Sequence, residues 1–192
     1  MSTIVVSHGF EARSDSVWFP YLSAALTERG HQVVIPDLPD SGAPKLEPWR
    51  KTLAAAATAA TDPADTVLVG HSIGSVNVLR MLEQHEGTPF AGAVLVSTSA
   101  HEVGYDILAE FFDGPFDWSR IRAAAGDFRL LSAIDDPVNA ADPMEHVELL
   151  VRGLGARAVV LPSGGHLGAY ADDHIDLPEA VTLVEEVLAH RG

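Results

Sequence analysis

The chain has 192 residues and no cysteine, and its 12 basic and 27 acidic side chains give a formal charge of −15. Such a surface repels phosphate backbones and anionic bilayers, so neither nucleic acid nor a membrane is an expected partner. The absence of thiols rules out disulfides, thiolate metal sites and cysteine catalysis together.

The N-terminus shows no basic segment leading into a long apolar stretch, and no apolar run approaches about 18 residues, so a cytoplasmic protein is expected. The length suits a single domain over residues 1–192. In chain order, short β-branched or apolar runs occur at residues 3–6, 32–35, 66–69, 93–96, 128–131 and 158–161. They are continuous rather than alternating, as suits strands covered on both faces in a parallel sheet.

Helical patterns fill the intervals. Trp18, Leu22 and Leu26 fall at i, i+4 and i+8 ahead of Gly30, a helix-ending residue. An alanine-rich stretch covers about residues 49–60, and Val76, Leu79 and Leu82 share a face within 73–85. Asp142, Pro143 and Glu145 form a helix-start signal before Val147, Leu150 and Leu154; Asp176, Pro178 and Glu179 repeat it before Val181, Val184 and Leu188.

Strand–helix alternation at this spacing predicts right-handed βαβ units, hence a three-layer α/β/α sandwich of about six mainly parallel strands. One interval breaks the rhythm. Residues 101–118 carry Tyr105, Phe111, Phe112, Phe116 and Trp118 around Gly114-Pro115, which predicts a small cap segment. Phe111, Phe112, Phe116 and Trp118 either seal an edge of the core or line an apolar pocket for an acyl or aryl group.

Gly70-His71-Ser72-Ile73-Gly74 lies where a strand gives way to a helix, the setting of a nucleophile elbow. In an open α/β sheet, ligands bind beyond the carboxyl ends of the strands, so polar residues there are the ones to weigh. Those ends carry His8-Gly9-Phe10, then His71-Ser72, then Asp135-Asp136-Pro137, then Gly164-Gly165-His166. The order Ser, Asp, His is that of α/β-hydrolases. Ser72 is the candidate nucleophile, His166 the candidate base, and Asp136 or Asp135 the carboxylate that orients it. The main-chain N–H of Ile73, with that of Phe10 or Gly9, is the candidate oxyanion hole. His71 reads as packing beneath the elbow, and His8 as a brace for the oxyanion loop or a structural residue. Neither a metal motif nor a dinucleotide fingerprint accompanies these residues, so no metal and no cofactor is expected.

The chain resembles small serine hydrolases of the retinoblastoma-binding protein nine type. The likeness rests on Gly70-His71-Ser72-Ile73-Gly74, on residues 114–121 (GPFDWSRI), on residues 132–137 (SAIDDP) and on Gly164-Gly165-His166, with Pro39-Asp40 and Trp49 adding to it. It implies a compact α/β-hydrolase fold with Ser72, Asp136 and His166 as the triad. Two departures stand out: Val138-Asn139 follows the acid where family members often have Val-Pro or Leu-Pro, and the first loop is of the His-Gly esterase type. The family namesake's Leu-x-Cys-x-Glu element cannot exist in a cysteine-free chain, so no retinoblastoma-type binding is implied. The expected function is hydrolysis of a small carboxylic ester or thioester through an acyl-enzyme on Ser72. Acyl transfer by the same triad, or a non-catalytic hydrolase-fold binding role, are the alternatives.

Overall fold

A computed structural model describes residues 1–60, 62–139, 142–168 and 176–190. Six strands, β1 (Thr3–Ser7), β2 (Gln32–Val34), β3 (Thr66–His71), β4 (Gly92–Val96), β5 (Phe128–Ala133) and β6 (Arg157–Leu161), form one sheet in the order β2-β1-β3-β4-β5-β6. All five pairings are parallel. Six α-helices complete the layers: α1 (Phe19–Glu28), α2 (Leu46–Thr58), α3 (Ile73–Glu83), α4 (Trp118–Ala124), α5 (Pro143–Leu154) and α6 (Pro178–Ala189). The three-layer parallel architecture is the one expected.

Alternate residues of each central strand face opposite layers. Ile4, Val6, Val67, Val69, Val94 and Val96 pack under α1 and α6. Val5, Leu68, Ala93 and Leu95 pack under α2, α3, α4 and α5. This double covering is why the central strands are uniformly apolar. The edge strands differ: most of β2 and β6 is only partly buried, since each has a neighbour on one side only.

Helix starts follow the expected chemistry at α5, where the Asp142 carboxylate accepts from the N–H groups of Met144 and Glu145, both at 3.1 Å. At α6 the cap position falls on Leu177 rather than Asp176, and no side chain caps the helix. The predicted cap segment contains a 3₁₀ helix over Asp106–Phe112, and after residues 113–117 the chain enters α4.

A parallel sheet delivers all its carboxyl ends to one edge. That edge gathers Ser72 after β3, Asp136 after β5 and His166 after β6.

Candidate active site

The elbow works because two glycines let main chains approach closely. A Cβ at Gly74 would overlap the carbonyl oxygens of Ser7 and His8, and one at Gly70 would overlap the Ser75 main chain. Between them Ser72 adopts φ 56°, ψ −130°, a conformation that non-glycine residues seldom take. Its N–H donates to the Val96 oxygen at 2.9 Å, which ties the strained residue to β4. Strain held in this way at a partly accessible side chain is a mark of a functional position.

From the half-buried Ser72 a hydrogen-bonded line runs inward. Ser72 Oγ lies 2.7 Å from His166 Nε2, and His166 Nδ1 lies 2.8 and 2.9 Å from the two oxygens of Asp136. A carboxylate only accepts, so Nδ1 carries the ring proton and Nε2 offers a lone pair to the hydroxyl. His166 and Asp136 are both buried. Asp136 also accepts from the Val138 N–H at 2.9 Å and from Asn139 Nδ2 at 3.4 Å, while Asn139 Oδ1 accepts from the Ser99 hydroxyl at 2.7 Å. The neighbouring Asp135 points elsewhere, accepting from the Gly165 N–H at 2.9 Å. The geometry therefore gives Asp136 the imidazole and Asp135 the loop that carries it.

The Ile73 N–H, at the first position of α3, has no intrahelical partner. Neither it nor the Phe10 N–H meets another protein acceptor among the described residues; Ile73 directly follows Ser72, and Phe10 lines the same cavity as Ser72. Gly9 packs on the elbow itself, where a Cβ would lie 3.2 Å from Ser72 Cβ. Its oxygen accepts from His8 Nδ1 at 2.9 Å, and His8 Nε2 accepts from the Leu38 N–H at 2.8 Å. Both ring nitrogens are thus used in the neutral tautomer, and burial pushes the His8 pKa down. His8 braces the loop before Phe10.

A cavity of about 440 Å³ opens at Ser72, within the usual size of small-molecule sites. Its apolar walls are Phe10, Val17, Tyr105, Leu108 and Val138, with Gly9, His71, His166 and Gly168 completing the floor and sides. Among the described residues Glu11 is the single carboxylate on the wall, and neither lysine nor arginine lines it.

The aromatic quartet is a correction: Phe111, Phe112, Phe116 and Trp118 do not line this cavity. Phe111 is fully buried in a cluster with Trp49, Ile73 and Val76, and Phe112 packs against that cluster. Phe116 lies over the Arg80 guanidinium, and Trp118 stacks near Phe116 and fills the space over Gly153. They anchor the cap from behind. Composition marked the segment as apolar; only the fold shows that Tyr105 and Leu108 take its open side. Val17 and Val138 were missed as well, because both sit in loops with no periodicity to reveal them.

Among the described residues no group of three His, Asp or Glu side chains is arranged to hold a metal, and no helix is long and apolar enough to cross a membrane.

Known proteins resemble this chain in sequence and in fold. YdeN of Bacillus subtilis (strain 168) is 31% identical over 165 residues, 85% of this chain and 84% of its own length. The crystal structure of the ydeN gene product superposes with a TM-score of 0.90 at 28% identity, covering 98% of this chain and all of that one. More distant likenesses show the α/β-hydrolase fold alone. XCC1541 of Xanthomonas campestris pv. campestris has a TM-score of 0.73 at 22% identity, covering 98% of this chain and 99% of its own. The methylesterase MES16 of Arabidopsis has a TM-score of 0.69 at 14% identity, over 98% and 100% of the two chains. The serine hydrolase family model matches residues 4–186, nearly the whole length, and this chain belongs to that family.

Proposed function

We propose that the chain hydrolyses small carboxylic esters or thioesters through an acyl-enzyme on Ser72. The observation that carries this reading is the unbroken line Ser72 Oγ–His166 Nε2, His166 Nδ1–Asp136, at 2.7 and 2.8 Å. In the first half-reaction His166 takes the Ser72 proton as Oγ bonds to the carbonyl carbon. The carbonyl oxygen becomes an oxyanion within reach of the Phe10 and Ile73 N–H groups. Collapse breaks the bond to the alkoxide or thiolate leaving group, which departs with the proton from His166. A water then attacks the acyl carbon, gives its proton to His166, and the tetrahedral intermediate releases the carboxylic acid and restores Ser72. Throughout, Asp136 stabilises the transient imidazolium.

The described lining residues are mostly apolar and include no lysine or arginine, which favours an uncharged ester with a hydrocarbon acyl group. An anionic substrate would face Glu11 with no compensating cation among them. The motifs around Ser72, Asp136 and His166 are also what support the finer likeness to the retinoblastoma-binding protein nine type. The reading needs no cofactor, nucleic acid or membrane, and sets the chemistry in the cytoplasm.

A fluorophosphonate probe tests the nucleophile. Wild type is expected to label and Ser72→Ala to lose labelling; equal labelling of both overturns the proposal. Competition by p-nitrophenyl esters of increasing acyl length then sizes the cavity.

A further inference from the structure

The loop that carries His166 is conformationally awkward. Gly164, Gly165, Leu167 and Gly168 all have positive φ, and Leu167, at φ 47° and fully buried, has no glycine-like freedom to excuse it. Such a backbone persists only where its surroundings over-determine it. Two buried rings supply that constraint. His71 Nε2 donates to the main-chain oxygen of His166 at 3.0 Å, and Trp18 Nε1 donates to that of Leu167 at 2.8 Å. Consecutive carbonyls are thus each held by a ring N–H, from the nucleophile elbow in one case and the entry to α1 in the other.

The two donors are themselves joined. Their rings meet edge to face, with centroids 5.8 Å apart at 80°, and both contact Phe19. Trp18 is fully buried and His71 nearly so, which leaves no water to replace a lost N–H. The approach is close enough that a Cβ at Gly168 would lie 2.9 Å from Val17 Cβ and 3.1 Å from Trp18 Cδ1. Burial, and then the neighbouring His166, push the His71 pKa down to about 3. His71 therefore stays uncharged beside the base, whose ring centroid is 5.6 Å away, and does not oppose the imidazolium that forms there.

We propose that Trp18 and His71 act together as a clamp on the main chain of the base, positioning the His166 imidazole between Ser72 and Asp136. The proposal rests on the serine hydrolase reading above. Both are positioning residues, acting through His166 rather than on the reacting atoms.

The test uses the full chain with three substitutions. Trp18→Phe keeps the ring and removes the N–H; His71→Leu removes the donor; His71→Gln returns an N–H near the position of Nε2. Steady-state kinetics on p-nitrophenyl butyrate, fluorophosphonate labelling rates and thermal melting are measured on each. Trp18→Phe and His71→Leu are expected to lower kcat about 10- to 100-fold with KM within about twofold, the scale of a misplaced catalytic group. His71→Gln is expected to recover most of that loss, and the double variant to lose less than the product of the singles.

Folded Trp18→Phe and His71→Leu proteins with wild-type kcat, whatever their melting temperature, overturn the clamp; so does a loss that merely tracks the unfolded fraction. Should His71→Leu fail to fold, Trp18→Phe decides alone, and an unchanged kcat in that variant overturns the clamp. Failure of wild type to label at Ser72 is a separate result, which removes the hydrolase reading instead.

Discussion

Arg80 Nε donates to the main-chain oxygen of Phe111 at 2.9 Å, joining the helix behind the nucleophile to the end of the cap's 3₁₀ segment. The same guanidinium donates to the oxygens of Asp113 and Gly114, pairs with Glu83 and lies 4.2 Å from the Phe116 ring centroid. At the other side of the segment, Glu110 accepts from Lys45 and from the Leu46 N–H at the start of α2. The cap is thus fastened along its back, with Tyr105 and Leu108 presented to the cavity.

Arg80→Met keeps the hydrocarbon stem and strands those three buried or half-buried carbonyls. It is expected to cost about 3 kcal/mol of stability, in line with breaking a buried charged network. Because Tyr105 and Leu108 lose their support, KM for longer acyl esters should rise more than KM for acetate. Urea unfolding and an ester chain-length series check both parts; an unchanged chain-length preference would detach the cap wall from Arg80.

Gly74→Ala places a methyl group on two carbonyl oxygens of the strand-one exit. Main chain cannot yield as a side-chain tip can, so a loss of about 3 kcal/mol or more, or failure to fold, is expected. Gly42→Ala is the control: nothing lies within 4 Å of its Cβ position, and equilibrium unfolding should find it within about 0.5 kcal/mol of wild type.

The two adjacent aspartates should separate cleanly in kinetics. Asp136→Asn removes the charge facing the imidazole and disturbs its tautomer, for an expected kcat loss of about 10³–10⁴. Asp135→Asn retains an oxygen to accept from Gly165 and should stay within about threefold. Reversed magnitudes would transfer the acid's role to Asp135.

Acid should destabilise the fold through its buried histidines. His8, His71 and His146 all have pKa values lowered from 6.5, by burial first in each case, and His71 falls to about 3. A lowered value means that the unfolded chain binds the proton more readily. The contribution is therefore fully present above about pH 6.5 and lost as pH falls toward the folded values. His71, whose folded value lies well below that window, adds a slope of about 1.4 kcal/mol per pH unit there, and His8 and His146 act in the same direction. Urea unfolding at pH 7 and pH 5 should show the decline, and His71→Gln should show a shallower one. Equal slopes in the two proteins would mean that His71 does not carry it.

The central sheet was legible because strands covered on both faces must be apolar throughout, and residues 66–69 and 93–96 can read no other way. The edge strands were less so: β2 ends at Val34 because Ile35 has already left the ladder, and the side chains of β6 are mostly outward. At the site, residue type and strand-end position sufficed to nominate Ser72 and His166. Which aspartate faces the ring depends on the turn after β5, where one residue of phase reverses a side chain. The cap aromatics failed for a related reason, since hydrophobicity marks a segment for burial without saying which side of it faces the core. The clamp was illegible because Trp18 and Leu167 are 149 residues apart and meet only when α1 docks.

Ser72 and His166 stand 94 residues apart in the chain, and the His166 loop follows β6, the last strand in sequence. A growing chain that has already made its elbow therefore holds a serine with nothing to activate it. If His166 is the base, as proposed, turnover requires that β6 has added to the sheet and the His166 loop has seated. On the proposed reading, recovery of activity after dilution from denaturant reports that β6 and the His166 loop have seated, which helix content alone does not report.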